Sequence, residues 1–488
     1  MPVQDQEQQL EQDHSLPVTS RYSLVSQAPL TLLLGLALAY IFSPLFQFHF
    51  GPLGYNDARV IEIAVISVAS LGFIYHLFFK RHLLSSTMSW YWLGLFGLAW
   101  LSLNQAPYFQ AGLQELGLYA GLLMAIWVVA HETRQLSNKQ IQALTTVLVL
   151  AVVTIYAMQF LVYYLGQLLL QDTMSSKVLL PNFQNPRSFN HSQAWLMPVA
   201  AWAIYYLSSR NRLYYQVALV MVALWWVMLF YSNGRGILLS LMSSGVALYV
   251  LCPQERKRIL RPLLGTLLLG IGLYLLLFLG IPKLITLITG EGSSLSTLYS
   301  DRLQQTHSGG RSELWQASLA LLQQYPWLGI GPQHFPAALE GLGSPHNMAL
   351  ATAVELGVPA LLLLAFILAK NLLSSYQQYR QGPTPLQASL LTAAVCALIY
   401  SNLTGIALTP VSQLLMVLIC GLLLGLKQQH STTTPGNQKV WLLFCSLLVV
   451  LWASSLWLSV GNLMATDTSL YVPGQNQPRF WLNGHYYY

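Results

Sequence analysis

The sequence predicts an all-α, polytopic membrane protein of about thirteen transmembrane helices, and three observations predict it. Of 488 residues, 55% are hydrophobic and 8% are charged, against roughly 25% charged in a soluble domain. Apolar stretches of about 20 residues, the length of a bilayer-crossing helix, recur along the whole chain. Lysine and arginine are distributed unequally between alternate loops, as the positive-inside bias requires. A transmembrane barrel would instead show short alternating segments. Backbone amides in lipid must be satisfied internally, so the spans are helices.

Residues 1–28 are polar and glutamine-rich, with Asp5, Glu7, Glu11 and Asp13. They read as a disordered cytoplasmic tail, because a secretory signal starts basic and then turns apolar. Spans are expected at 29–48, 60–79, 89–103, 113–130, 141–168, 193–208, 213–231, 236–251 and 263–281. A large loop at 282–346 follows, then spans at 347–369, 387–402, 408–426 and 440–460, and a tail at 461–488. With the N-terminus inside, fifteen of the 23 basic residues fall in inside loops, every one of which has at least one. The net charge of +7 is therefore anchoring charge and not a nucleic-acid surface. Cys252, Cys396, Cys420 and Cys445 lie in or next to apolar segments without metal-type spacing, and read as small buried hydrophobes.

The loop at 282–346 is the longest segment between spans, and long ordered loops are usually functional. Its residues 311–324 carry Leu314, Trp315, Leu319, Leu321 and Leu322. They predict a short amphipathic helix lying against the membrane face, ended by Tyr325-Pro326.

Cations on the translocated side run against the topological bias and stand out for that reason. Arg187, Arg235 and Arg311 sit in the compact polar contexts Asn185-Pro186-Arg187, Ser232-Asn233-Gly234-Arg235-Gly236 and Gly309-Gly310-Arg311-Ser312, and Arg302 lies in the same long loop. A single outside arginine is often only snorkelling to headgroups. Glycine beside Arg235 and Arg311 lets a ligand approach the backbone, and the planar guanidinium fork suits phosphate. Arg235 also falls in the first turn of a span, where partial positive charge disfavours a cation. Something anionic is needed there: a lipid-linked phosphate, a lipid headgroup or Asp301.

Ser344-Pro345-His346-Asn347 predicts a helix start with Ser344 as cap and His346 in the first turn. That position favours an anion and a neutral imidazole able to accept a proton, as activation of a hydroxyl requires. Glu355 faces nearly opposite His346 at about 100° per residue and reads as a structural partner for a neighbouring helix's polar group. Gly329-Ile330-Gly331-Pro332 reads as a turn. His191 and Gln193 are candidates for sugar hydroxyls or for capping the span after them. Asn347 joins them as a substrate contact beside His346. No residue run has metal-ligand spacing, and no nucleotide-binding glycine pattern is present, so neither a metal, a cofactor nor a nucleotide-sugar donor is expected.

The ordered set Ser232-Asn233-Gly234-Arg235-Gly236, Gly310-Arg311-Ser312-Glu313-Leu314-Trp315, Tyr325-Pro326-Trp327-Leu328-Gly329-Ile330-Gly331, His346-Asn347 and Glu355-Leu356-Gly357 resembles the bacterial O-antigen ligase superfamily. That superfamily comprises O-antigen ligases, O-antigen polymerases and protein O-oligosaccharyltransferases. The resemblance covers roughly residues 180–370. It implies a type-C glycosyltransferase-like helical fold with a large periplasmic loop, an undecaprenyl-diphosphate-linked glycan as donor, and no metal. It implies that Arg235 and Arg311 hold the diphosphate and that His346 is the base or its equivalent. The segments 185–195 and 478–484 are more loosely similar to the branch that glycosylates type IV pilins. The implied acceptor is then a pilin serine or threonine, with lipid A–core or a growing glycan as the alternatives. A transporter of lipid-linked glycan would need polar residues deep in several spans, whereas the candidates here cluster outside.

Overall fold

The computed structural model describes residues 55–79, 86–170, 179, 186–289, 311–339, 343–428 and 438–465, which contain helices and no strand. The helices are α1 (Tyr55–Phe79), α2 (Ser86–Asn104), α3 (Phe109–Gln135), α4 (Asn138–Leu170), α5 (Pro186–Ser208), α6 (Arg212–Tyr231), α7 (Arg235–Leu251) and α8 (Arg256–Leu275). A π-turn, Leu276–Gly280, carries α8 into α9 (Ile281–Thr289). Then come α10 (Arg311–Gln324), α11 (Phe335–Ala338), α12 (Met348–Leu356), α13 (Val358–Gln381), α14 (Pro385–Ser401), α15 (Pro410–Gln428) and α16 (Gln438–Ala465). Seven helical runs among the described residues are long and apolar enough to cross a membrane, and three shorter apolar helices accompany them. The chain is a polytopic helical membrane protein.

The expected tail 1–28, the span 29–48, Arg302 and the C-terminal segment beyond 465 lie outside the described residues. The remaining expected spans fall on helices, with two differences. Helix continues through the π-turn to Thr289, so the large loop starts later than the expected 282. The expected single span 347–369 is two helices, α12 and α13, broken at Gly357, whose φ is +86°. A hydropathy window sees continuous apolar character there and is blind to one left-handed residue.

Two helices form the centre. α3 packs against α1, α15 and α16. The approach to α15 is close because Gly421 and Gly425 present no side chain. A Cβ at Gly421 would meet Val129 at 2.6 Å, and one at Gly425 would meet the carbonyl of Ala130 at 2.7 Å. Small residues four apart let helix backbones meet in lipid, where there is no hydrophobic drive to hold them together. α5 is buried at every residue from Phe189 to Ile204, and it touches α4, α6, α7, α8, α14 and α15. A helix apolar all round belongs inside a bundle, and this one also carries Asn190, His191, Ser192 and Gln193 into the interior.

Candidate functional site

One end of the bundle gathers the N-termini of α1, α5, α7 and α15 and the C-terminus of α14. The connection 402–409 between α14 and α15 lies at its middle. Arg59, counted in the sequence as a loop residue, is inside α1 and buried. Its guanidinium donates to Glu62 Oε2 at 2.5 Å, to Gln413 Oε1 at 2.6 Å and to the Leu408 carbonyl at 2.8 Å. Gln413 in turn donates to the Ala407 carbonyl at 2.8 Å. Together these bonds fix the 402–409 connection from below.

His191 is held against that connection. Its Nδ1 lies 2.8 Å from Thr409 Oγ1 and its Nε2 lies 3.1 Å from Thr404 Oγ1. The ring is buried and meets Tyr400 edge to face. On the preceding residue, Asn190 Oδ1 accepts from Ser232 Oγ at 2.9 Å, tying α5 to the loop before Arg235. Gln193 points into the bundle, where it donates to the Trp225 carbonyl at 2.6 Å with no solvent exposure. The sugar contact expected of Gln193 therefore meets a helix-packing position. Arg187 stands in the first turn of α5.

Arg235 is the first residue of α7, exposed, with Gly234 as the cap and no acidic residue in the first turn. The expectation that it occupies a helix N-terminus holds, and it belongs to none of the three ion pairs among the described residues. Asn233 before it has φ of +52°. Glycine at 234 is required by space, since a Cβ there would meet Ile237 at 2.7 Å and press on the Asn190 amide. Gly236 faces Tyr400 and Leu403, so α7 starts directly beside the 402–409 connection.

The segment 343–347 approaches the same connection: a Cβ at Gly405 would lie 3.6 Å from Ser344 Oγ. Here the expected helix start is displaced. Asn347, not Ser344, caps α12, accepting from Leu350 N at 3.0 Å. Ser344 Oγ instead accepts from His346 N at 3.3 Å. His346 thus precedes the cap instead of lying in the first turn, is exposed, and has φ of +53°. Asparagine and serine are comparable caps; Asn347 takes the role because the helix begins at Met348, which leaves Ser344 three residues ahead of the cap position. His346 and His191 are close enough to interact electrostatically. Left-handed backbone at non-glycine residues is uncommon and concentrates at functional sites; two of the three instances among the described residues, Asn233 and His346, flank or are candidates here.

Helix α10 brings Arg311. Trp315, one turn further on, donates from its indole to the Pro345 carbonyl at 2.9 Å, so α10 is tethered beside His346. Arg311 opens the helix, half-buried. Glu313 follows in the first turn; its own backbone amide and the Ser312 hydroxyl hold its carboxyl below the usual carboxylate range. The expected amphipathic helix 311–324 exists, but its apolar stripe faces protein. Leu314, Leu321 and Leu322 cluster with Phe335, Val354 and Leu350, which makes α12 the surface it covers. Trp327 beyond it is exposed.

Residues 326–335 support this arrangement. Ile330 N donates to Val354 O at 2.9 Å, Gly331 N to Glu355 O at 3.0 Å, and Val358 N to Pro326 O at 2.9 Å. Gly329, at φ +67°, leaves no room for a Cβ, which would meet Val354 O at 2.5 Å. Glu355 is buried, and its Oε1 accepts from Phe335 N at 3.1 Å. Its partner is thus the backbone amide that opens the neighbouring helix α11, a polar group of the kind expected for it. Residues that the sequence reading did not single out are Asn190, Thr404, Thr409, Tyr400 and Arg59. The available signal was the polar break Asn402-Leu403-Thr404-Gly405 between two apolar spans.

The model of the family described as O-antigen ligase matches residues 217–365. No curated protein matches the chain significantly. The matched stretch contains Arg235, Arg311 and His346, the three residues that the fold carries to one end of the bundle, and over residues 217–365 the chain is similar to the O-antigen ligase family.

Proposed function

We propose that this protein transfers a glycan from undecaprenyl diphosphate to an acceptor hydroxyl at the periplasmic face of a bacterial inner membrane, with a serine or threonine of a pilin as acceptor. The observation that carries the reading is the joint placement of Arg235, His191, His346 and Arg311 around the 402–409 connection. Arg235 and Arg311 stabilise charge on the departing diphosphate, where preorganised donors act most strongly. His346 accepts the proton of the attacking hydroxyl, which enters opposite the leaving group and inverts the anomeric centre. Arg187 and His191 contact the donor glycan, and Arg302, read from the sequence alone, is a further candidate contact to it. Asn347 holds the base in place through its cap. Arginine supplies the charge that a divalent ion supplies in other transferases, so brief exposure to EDTA is expected to leave the initial transfer rate unchanged.

The second reading is transfer to lipid A–core, favoured by the description of the matching family. Purified protein is to be given an undecaprenyl-diphosphate glycan with either pilin or lipid A–core, and products followed by gel shift and mass spectrometry. Modified pilin supports the first reading and modified lipid A–core the second. Lengthening of donor chains without transfer to either points to a polymerase, and bound donor with no product overturns the enzymatic reading.

A further inference from the structure

At the opposite end of the bundle lies a second group of chemically capable side chains. His76 sits in the last turn of α1, 17 residues after Arg59, which is about 26 Å along the helix axis. His131 and Glu132 sit in the last two turns of α3. One donor atom of each of the three residues lies within 4.8 Å of the other two. His76 and Glu132 are 0% and 1% exposed, while His131 is half-buried and opens the cluster to the outside.

The contact inside this group is unusual. His76 Nε2 and Glu132 Oε1 are 2.8 Å apart, yet neither atom makes a hydrogen bond, because the ring N–H direction misses the carboxylate. His76 Nδ1 is also buried without a partner. Buried polar atoms in native proteins are almost always satisfied by protein, water or an ion, and a carboxylate oxygen buried in an apolar bundle without a hydrogen bond is costly. A carboxylate oxygen and an imidazole nitrogen that approach without bonding each other have lone pairs available to a third centre.

We propose that His76, His131 and Glu132 bind a divalent transition metal of the zinc type. Two imidazoles and one carboxylate are a recognised zinc donor set, with ligand distances of about 2.0–2.2 Å and a fourth position left for water. Donors in such a tetrahedron stand about 3.3 Å apart, so the widest separation here closes by roughly 1.5 Å on binding. Gln135 completes the arrangement. Its side-chain amide lies 2.8 Å from His131 Nε2, and with the amide turned so that oxygen faces the ring it accepts the Nε2 proton. That fixes the tautomer whose Nδ1 ligates. The ion staples the end of α1 to the end of α3. It stands a membrane width from the transfer site and takes no part in its chemistry.

The test uses the full chain, purified in detergent with a tag free of histidine, stripped with chelator and equilibrated with Zn²⁺ or Co²⁺. One equivalent per chain is expected after gel filtration, with visible Co²⁺ bands of a four- or five-coordinate site. The melting temperature should rise with added Zn²⁺. His76→Ala and Glu132→Gln should each lose the equivalent while keeping the gel-filtration profile, and Gln135→Ala should weaken binding about 10-fold. Retention of the metal by His76→Ala, or no retained metal in the unaltered chain, overturns the proposal and leaves a buried His76–Glu132 ion pair. If the variants fail to fold, diethyl pyrocarbonate modification of the half-buried His131 in the unaltered chain decides: Zn²⁺ protects His131 if it is a ligand, and modification unchanged by Zn²⁺ refutes the site.

Discussion

At the scale of single residues, the proposed transfer needs cations and a base held by specific backbone positions. Arg235→Ala and Arg311→Ala are each expected to lower the transfer rate by about 100-fold or more, the usual cost of removing one preorganised donor. Lysine at either position should restore only part of it, because a point charge does not reproduce the guanidinium fork. Rates measured on the identified acceptor check both. Arg59 acts through others. Removing it strands Glu62 in the bundle and frees the Leu408 carbonyl. Arg59→Met should therefore destabilise by about 3–5 kcal/mol, the range for breaking a buried pair. The double variant Arg59→Met/Glu62→Leu should recover much of that in a thermal melt, and a double variant no better than the single one would remove Arg59–Glu62 from the account.

At the scale of elements, two backbone contacts decide how helices meet. Gly357 separates α12 from α13 at φ +86°, and a Cβ there would press into the Trp327 carbonyl and meet Leu328 N at 2.8 Å. Gly357→Ala should cost about 1–3 kcal/mol, as for other residues forced into sparsely populated backbone. The loss should appear first as faster amide exchange in residues 326–331, whose bonds run to Val354, Glu355 and Val358. Gly421→Leu tests the approach of α15 to α3, since Val129 has no space to yield to it. Thermal stability should fall while the exposed α8 and α9, which do not use that contact, keep their exchange rates. Equal loss in both regions would mean that the bundle unfolds as one unit.

At the scale of the whole molecule, the candidate site and the His76 cluster occupy opposite ends of α1, so membrane sidedness assigns both at once. With the four native cysteines replaced, Ser312→Cys on α10 is expected to react with an impermeant maleimide from the periplasmic side. Ser137→Cys, between α3 and α4, is expected to react only after the inner membrane is permeabilised. Both positions are exposed. The reversed pattern would turn the protein over and remove the periplasmic reading of the site.

The sequence by itself determined the class of fold, the chain order of its apolar helices and the identity of the charged residues that stand out against it. Those are properties of composition and local order, and hydropathy and charge report them directly. It also indicated the turn at Gly329–Gly331 and the helix opening at Arg311. Only the tertiary structure decided that Asn347 caps α12 in place of Ser344, because both residue types cap equally well and local sequence does not say at which of them the helix begins. It decided that Gln193 faces Trp225 while His191, two residues earlier, faces Thr404 and Thr409. It brought Arg59 to Leu408, Trp315 to Pro345 and His76 to Glu132. Each of these pairings joins positions far apart in the chain, and none has a periodic signal. They form because glycine contacts set which helices approach closely, and because a polar group buried by that approach must find its partner wherever the packing has placed one.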